Sequence, residues 1–178
     1  MRSVSVLNDK VLAANRQSVS QQAERFGLGW WTALLPLGLS LFFVSLIQTV
    51  SAGSAVTWSF DWVPSLGVPI SFYIDGLALV MALLVAGIGT CVYLYAGRYL
   101  AGDDGLLRFY VWVTLFMLSM LGLVTAGNIL TLFVFWELTS ISSYLLIGYK
   151  HKQEYARDAA LQALLITGGG GLALLGGL

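Results

Sequence analysis

Five apolar stretches dominate this 178-residue chain and leave few folds open to it. They run Trp30–Val50, Phe72–Ala96, Leu107–Ala126, Ile129–Tyr149 and Ala159–Leu178. A helix needs roughly 20 such residues to cross about 30 Å of hydrocarbon. Charged residues make up only 10% of the chain, against about 25% in an ordinary soluble domain. The sequence therefore predicts an all-α, polytopic transmembrane helix bundle over residues 30–178, preceded by a polar arm at 1–29.

The segments between these stretches suggest how the helices connect. Ser51–Ser71 contains Trp58 and Trp62 together with two prolines. Indole rings favour the membrane–water interface, so we expect an ordered loop lying there. Gly127 and Asn128 alone separate the third and fourth stretches, which predicts a tight antiparallel helix pair.

The distribution of charge predicts the orientation of the bundle, and the net charge argues against nucleic-acid binding. All nine Lys and Arg residues fall on one side of the alternating topology, at 1–29, 97–108 and 150–158. The positive-inside rule therefore places the N-terminus in the cytoplasm. Nine acidic residues balance the nine basic ones, so no net field is available to hold a nucleic acid.

The sequence contains no pattern typical of a cofactor or metal site. Cys91 is the single cysteine, so neither an intrachain disulfide nor a thiolate metal cluster is predicted. No motif of a hydrolytic or nucleotide-binding site occurs. We therefore expect no cofactor, no metal and no enzyme activity at a soluble site.

Glu137 is the one acid deep within a predicted span. It lies eight residues, or about 12 Å of helix rise, from the outer end of the fourth stretch. An acid near the bilayer midplane costs roughly 2.5 to 3.5 kcal/mol and usually marks an ion or proton path. Because Lys150 is about 20 Å away along the axis, Glu137 is either neutral or approached by a cation from another subunit or helix. A neutral carboxyl that merely bonds neighbouring helices is the structural alternative.

Two polar side chains share the predicted face of Glu137. Ser140 and Tyr144 follow it at helical spacing. They are candidates for a polar path that holds water beside the carboxyl. The alternative is that hydroxyls in this helix bond to the carbonyls of their own preceding turn.

Candidate ends of such a path lie near the membrane surfaces. Asp75 opens the second stretch, where it either caps the helix or admits ions. Lys150 and His151 lie in the basic loop after the fourth stretch. They either anchor the topology or, for His151, relay protons.

Two features concern the end of the chain. Gly168–Gly171 is a run of four glycines inside the fifth stretch, and within a membrane such a run favours close approach of a neighbouring helix. The fifth stretch reaches the end of the chain without a polar flank. We therefore expect the chain to be part of a larger protein.

Three segments together resemble a known family. They are WVPSLGVPISFYIDGLAL (Trp62–Leu79), LLRFYVWVTLFMLSMLGLVTAGNILTLFVFWELTSISSYLLIGYKHK (Leu106–Lys152) and ALLIT (Ala163–Thr167). They resemble the large A-type component of multisubunit Mrp-type Na⁺/H⁺ antiporters, which is similar to the proton-pumping subunits of respiratory complex I. FWELTSISSYLLIGY is the most specific piece, because the complex I relatives differ in its middle.

This resemblance implies a role for Glu137. In the family the Glu of the WE pair, Glu137 here, pairs with a Lys on a later helix that this chain does not include, and Asp75 also matches the family pattern. The family has one more helix before the first stretch, so these five spans correspond to its second to sixth.

The resemblance further implies the function. It implies a multi-pass subunit of the bacterial inner membrane that assembles with other antiporter subunits and helps exchange Na⁺ for H⁺. The alternative is a pumping subunit of a respiratory NADH:quinone oxidoreductase or a membrane-bound hydrogenase. A third reading is a packing subunit in which Glu137 is inert.

Overall fold

The fold is a bundle of membrane-spanning helices, seen in a computed structural model that describes residues 31–63, 68–100, 105–150 and 153–177. Within these ranges five helices are long and apolar enough to cross a membrane, which confirms the predicted helix bundle. They are α1 Trp31–Ser51, α2 Gly76–Tyr99, α3 Leu106–Val124, α4 Ile129–Ile147 and α5 Glu154–Gly176. The polar arm at 1–29 lies outside the described residues, and the cytoplasmic N-terminus remains a prediction.

The connection between α1 and α2 is a β-hairpin where we expected an ordered loop. Strands β1 Val56–Val63 and β2 Val68–Ile74 pair antiparallel, with an irregularity between Asp61 and Val63. Trp58 and Trp62 are exposed on β1, as residues meant for an interface should be.

The hairpin also corrects the start of the second span. Phe72 was predicted to begin it, but Phe72 pairs with Trp58 in the hairpin and α2 begins at Gly76. Residues 72–74 are apolar, so hydropathy alone assigned them to the helix. Their strand conformation depends on pairing with distant residues, which hydropathy does not register.

The fifth span begins earlier than predicted. We expected it from Ala159, whereas α5 starts at Glu154 and its first turn is polar. An acid in a first helical turn interacts favourably with the exposed backbone amides there, so helix and apolar stretch need not start together.

Two buried clusters join the first three helices. One lies towards the end where α2 gives way to α3 and contains Tyr93 and Tyr110; the other lies towards the hairpin and contains Phe43 and Met117. Small side chains such as Ala82 and Ala86, both fully buried, allow the helices to approach closely.

Helices α3 and α4 pack antiparallel, as predicted from the short connection between them. Arg108 near the start of α3 donates a hydrogen bond from Nη2 to the carbonyl of Tyr149 just after α4, at 3.1 Å. Near the other end of α3, Gly122 lies against the ring of Phe135, leaving no room for a Cβ. These contacts fix the position of α4 against α3.

Asn128 fixes the start of α4. Its Oδ1 accepts a hydrogen bond from the Thr131 amide at 2.7 Å, which caps the helix. Its Nδ2 donates to the Pro69 carbonyl and the Ser71 hydroxyl, each at 2.8 Å. The Ser71 amide in turn donates to Thr131 Oγ1 at 3.1 Å. The first turn of α4 is thus bound to the hairpin, which sets the height of α4 in the bundle.

Removing these bonds should weaken the fold. We expect Asn128→Ala to lower the free energy of unfolding by about 2 to 3 kcal/mol, since it removes a helix cap and two further hydrogen bonds. Asn128→Asp keeps the capping acceptor and loses the two donated bonds, so it should cost about two thirds as much. Thermal unfolding in detergent measures both. An alanine variant as stable as the unchanged protein would contradict this account of how α4 is held.

Candidate functional site

Glu137 is the ninth of the 19 residues of α4, so it lies near the middle of a membrane-spanning helix. Its side chain points towards α5. A Cβ built on Gly171 would overlap Glu137 Oε1, which means that the carboxyl occupies the space a larger residue at position 171 would fill. Oε1 of the carboxyl therefore lies between α4 and α5.

The antiparallel packing of α4 and α5 produces this contact. Gly148, just after α4, lies against Ala160 near the start of α5. Glu137 precedes Gly148 by as many residues as Gly171 follows Ala160. Both pairs therefore lie on one seam between the two helices, and Glu137 meets Gly171 about three turns from the connection.

One oxygen of the Glu137 carboxyl lacks a polar partner among the described residues. Glu137 Oε1 is buried and has no hydrogen-bond partner in the part of the chain that the structure describes. No basic side chain among those residues forms an ion pair with it, and Lys150 is exposed beyond the end of α4. A buried oxygen without a partner is costly. Such a group is expected where a ligand, proton or missing partner completes the site.

The hydroxyls near Glu137 donate to their own helix. Ser140 Oγ donates to the Trp136 carbonyl at 3.2 Å, and Thr139 Oγ1 donates to the same carbonyl at 2.7 Å. Ser142 Oγ donates to the Leu138 carbonyl at 2.7 Å. This is the structural alternative considered for these residues. No hydrogen bond joins Ser140 to Glu137.

Tyr144 lines a pocket that does not include Glu137. It lines a pocket of about 270 Å³ between α3, α4 and α5, and no hydrogen bond joins it to Glu137. Arg108 and Arg157 line the same pocket. The structure thus does not bring Ser140, Tyr144 and Glu137 into one hydrogen-bonded chain.

The remaining predicted site residues lie apart from Glu137. Asp75 caps α2, accepting a hydrogen bond from the Ala78 amide at 2.8 Å, which is the first of the two readings given for it. Lys150 is exposed in a short 3₁₀ turn over Gly148–Lys150. His151 lies outside the described residues, so its relay role stays a prediction.

Two features were not predicted from the sequence. Tyr93 and Thr114 are hydrogen-bonded through their hydroxyls between α2 and α3, and Tyr110 donates to the Tyr93 carbonyl at 3.1 Å. No spacing within one helix signals such a cross-helix pair. The second feature is the contact of Gly171 with Glu137. The glycine run predicted that a neighbouring helix approaches closely, but it did not identify Glu137 as the residue in contact.

The described residues assemble no metal cluster. Across 31–63, 68–100, 105–150 and 153–177, no three His, Cys, Asp or Glu side chains come together. The ionisable group that the structure places at the site is the Glu137 carboxyl.

Two family models match the chain and together cover more than half of it. Residues 58–110 match the N-terminal model of complex I chain 5, described as NADH-ubiquinone oxidoreductase. Residues 126–178, which include Glu137 and Gly171, match the transmembrane model described as NADH:quinone oxidoreductase/Mrp antiporter.

Curated relatives give the same result. The A-type component of the Na⁺/H⁺ antiporter of Alkalihalophilus pseudofirmus is 44% identical over 156 residues, which is 87% of this chain and 19% of that protein. The A1-type component of the Na⁺/H⁺ antiporter of Staphylococcus haemolyticus is 41% identical over 154 residues, which is 86% of this chain and again 19% of that protein. The chain thus spans about a fifth of the length of the curated relatives it matches.

Solved structures have the same fold. The chain matches the Mrp complex from Dietzia sp. DQ12-45-1b with a TM-score of 0.64 and 33% identity, over 89% of this chain and 18% of that one. An archaeal membrane-bound sulfane sulfur reductase matches with a TM-score of 0.67 and 22% identity, over 90% and 34% of the two chains. Fold, sequence and family models agree that this multi-pass membrane chain contains antiporter-like domains and is homologous to part of the A-type component of Mrp antiporters.

Proposed function

We propose that this chain forms part of a membrane subunit of a monovalent cation/proton antiporter driven by the proton motive force, with Glu137 as its mid-membrane proton site. One observation carries the proposal. A carboxyl oxygen lies buried at the middle of a membrane-spanning helix and has no hydrogen-bond partner among the described residues. Acids at such a depth commonly mark ion or proton paths.

The burial of the carboxyl suggests how its charge is coupled to transport. An isolated carboxylate in an apolar setting is costly, so Glu137 is stable either when it holds a proton or when a cation stands beside it. The Lys that the family resemblance implies on a later helix is such a cation. Alternation between a neutral Glu137 and a carboxylate paired with that Lys lets the site take up and release a proton within the membrane.

The names of the relatives support the choice of function. Curated relatives from two organisms are named as Na⁺/H⁺ antiporter components of types A and A1, and a solved relative is an Mrp complex. We therefore assign the chain to transport and not to catalysis. It exchanges Na⁺ for H⁺ as part of the complete subunit, which joins further antiporter subunits in the lipid bilayer of the bacterial inner membrane.

Redox-driven proton pumping is the second candidate. The family model that matches residues 58–110 is described as a complex I chain. The family model that matches residues 126–178, which include Glu137, is described by both NADH:quinone oxidoreductase and Mrp antiporter. In that case the same carboxyl serves a proton path whose energy comes from electron transfer.

The source of energy distinguishes the two candidates. The complete complex is reconstituted in proteoliposomes, and internal pH is followed after a Na⁺ gradient is imposed with no redox substrate present. We expect Na⁺-dependent proton flux that ceases when the Na⁺ gradient is removed. Proton movement that requires NADH or reduced quinone and ignores Na⁺ would assign the chain to the pumping alternative.

A further inference from the structure

The four consecutive glycines of α5 have unequal surroundings. A Cβ built on Gly168, Gly169 or Gly170 meets no atom within 4 Å other than the backbone of its own helix. A Cβ on Gly171 meets the side chain of Glu137, and Gly171 is itself buried. The run is therefore not a uniform surface for helix packing, because one position in it accommodates the acid.

The atoms at this contact indicate what would move. A Cβ at position 171 would overlap Glu137 Oε1, and would stand 3.3 Å from Glu137 Cδ and 3.2 Å from Trp136 Cδ1. The most severe overlap is with the end of a flexible side chain and not with a backbone. A methyl group at 171 would accordingly displace the carboxyl before it displaced either helix.

We infer that Gly171 is a positioning residue for the Glu137 carboxyl: its missing side chain leaves the space in which the buried oxygen lies. This inference rests on the proposed function in so far as the position of the carboxyl matters for transport. A proton site must stand within hydrogen-bond reach of its donor and acceptor. The size of residue 171 then limits where the proton is held between α4 and α5.

The first test compares two neighbouring glycines in the complete antiporter complex. We expect Gly171→Ala to reduce Na⁺-dependent proton flux by about tenfold or more, since displacing a reacting group by about 1 Å can cost up to roughly 100-fold. Gly170→Ala adds the same methyl group where nothing lies within 4 Å, and should stay within about twofold of the unchanged complex. Equal fluxes in the two variants would overturn the inference.

The second test does not depend on transport. A hydrophobic carbodiimide modifies protonated carboxyl groups in membranes, and the rate at which it labels Glu137 is read by mass spectrometry. The rate should change in Gly171→Ala and stay unchanged in Gly170→Ala. If the labelling changes while Glu137→Gln retains full antiport, the positioning role stands and the proposed function fails. Unchanged labelling in both glycine variants would overturn the positioning role.

A double variant separates displacement of the carboxyl from general damage to packing. Asp is one methylene shorter than Glu, so in Glu137→Asp the carboxyl withdraws from position 171. Adding Gly171→Ala to Glu137→Asp should then reduce flux by a much smaller factor than it does in the presence of Glu137. If Gly171→Ala alone prevents assembly, Glu137→Asp should restore it. If each substitution reduces flux by the same factor alone and in combination, or if Glu137→Asp does not restore assembly, the methyl group acts on the helices. Either result would refute the inference.

Discussion

Replacing Glu137 by Gln should abolish exchange of Na⁺ for H⁺ by the complete complex, with a fall of at least about 100-fold, the range found when a positioned proton-transfer group is lost. Gln has nearly the same shape as Glu and fits beside Gly171, so the fold should be retained. It cannot release a proton or attract a cation as a carboxylate does. The measurement is Na⁺-dependent proton flux in proteoliposomes at matched amounts of assembled complex.

Glu154→Gln provides the matched control for this prediction. Glu154 begins α5 and is exposed, so the same chemical change there should alter flux by no more than about twofold. Antiport by Glu137→Gln at the level of the Glu154→Gln control would remove the transport role of the buried acid. Full activity in Glu137→Asp would show that the charge of the carboxyl matters more than its reach, and would also contradict the requirement for an exact carboxyl position.

The second large effect concerns Gly122 of α3, which packs directly against the ring of Phe135 in α4. A Cβ at this position would stand within 2.6 Å of Phe135 Cγ and overlap further ring atoms. Phe135 also contacts Phe72 of the hairpin, with ring centroids 5.8 Å apart, so the ring has little freedom to move aside. We expect Gly122→Ala to lower the free energy of unfolding by about 1 to 3 kcal/mol, as overpacking of a core does.

Gly87→Ala is the control for the helix itself. Gly87 lies in α2, and a Cβ built there meets nothing within 4 Å. Because Ala favours helix more than Gly by about 1 kcal/mol, this variant should be as stable as the unchanged protein or slightly more so. Thermal unfolding of the purified protein in detergent compares the two. A Gly122→Ala protein no less stable than Gly87→Ala would contradict the close packing of α3 on α4.

The sequence predicted the parts of the fold that depend on composition along the chain. Five apolar stretches of sufficient length were enough to predict five membrane-spanning helices, because in hydrocarbon the backbone must satisfy its own hydrogen bonds. The β-hairpin was not predicted, since its strands are defined by pairing between residues such as Trp58 and Phe72. The start of α2 was misplaced for the same reason.

The candidate site was predicted in part. Glu137 was identified from its depth in an apolar stretch, and the structure places its carboxyl oxygen in a buried position without a hydrogen-bond partner among the described residues. Which glycine accommodates it depends on the rotation of α4 relative to α5, and one helix sequence does not contain that information. The direction in which the Ser140 hydroxyl donates likewise depends on local geometry that spacing leaves undetermined.

The hairpin makes the two ends of the bundle mechanically unequal. At one end, Tyr73 donates its amide to the Thr125 carbonyl at 2.7 Å, and the Gly127 amide donates to the Ser71 carbonyl at 2.8 Å. The turn between α3 and α4 thereby acts as a short extra strand along β2, next to the bonds of Asn128. A tilt of α4 at the hairpin end would have to break these bonds to β2, whereas at the opposite end it would have to break the hydrogen bond that Arg108 donates to the Tyr149 carbonyl.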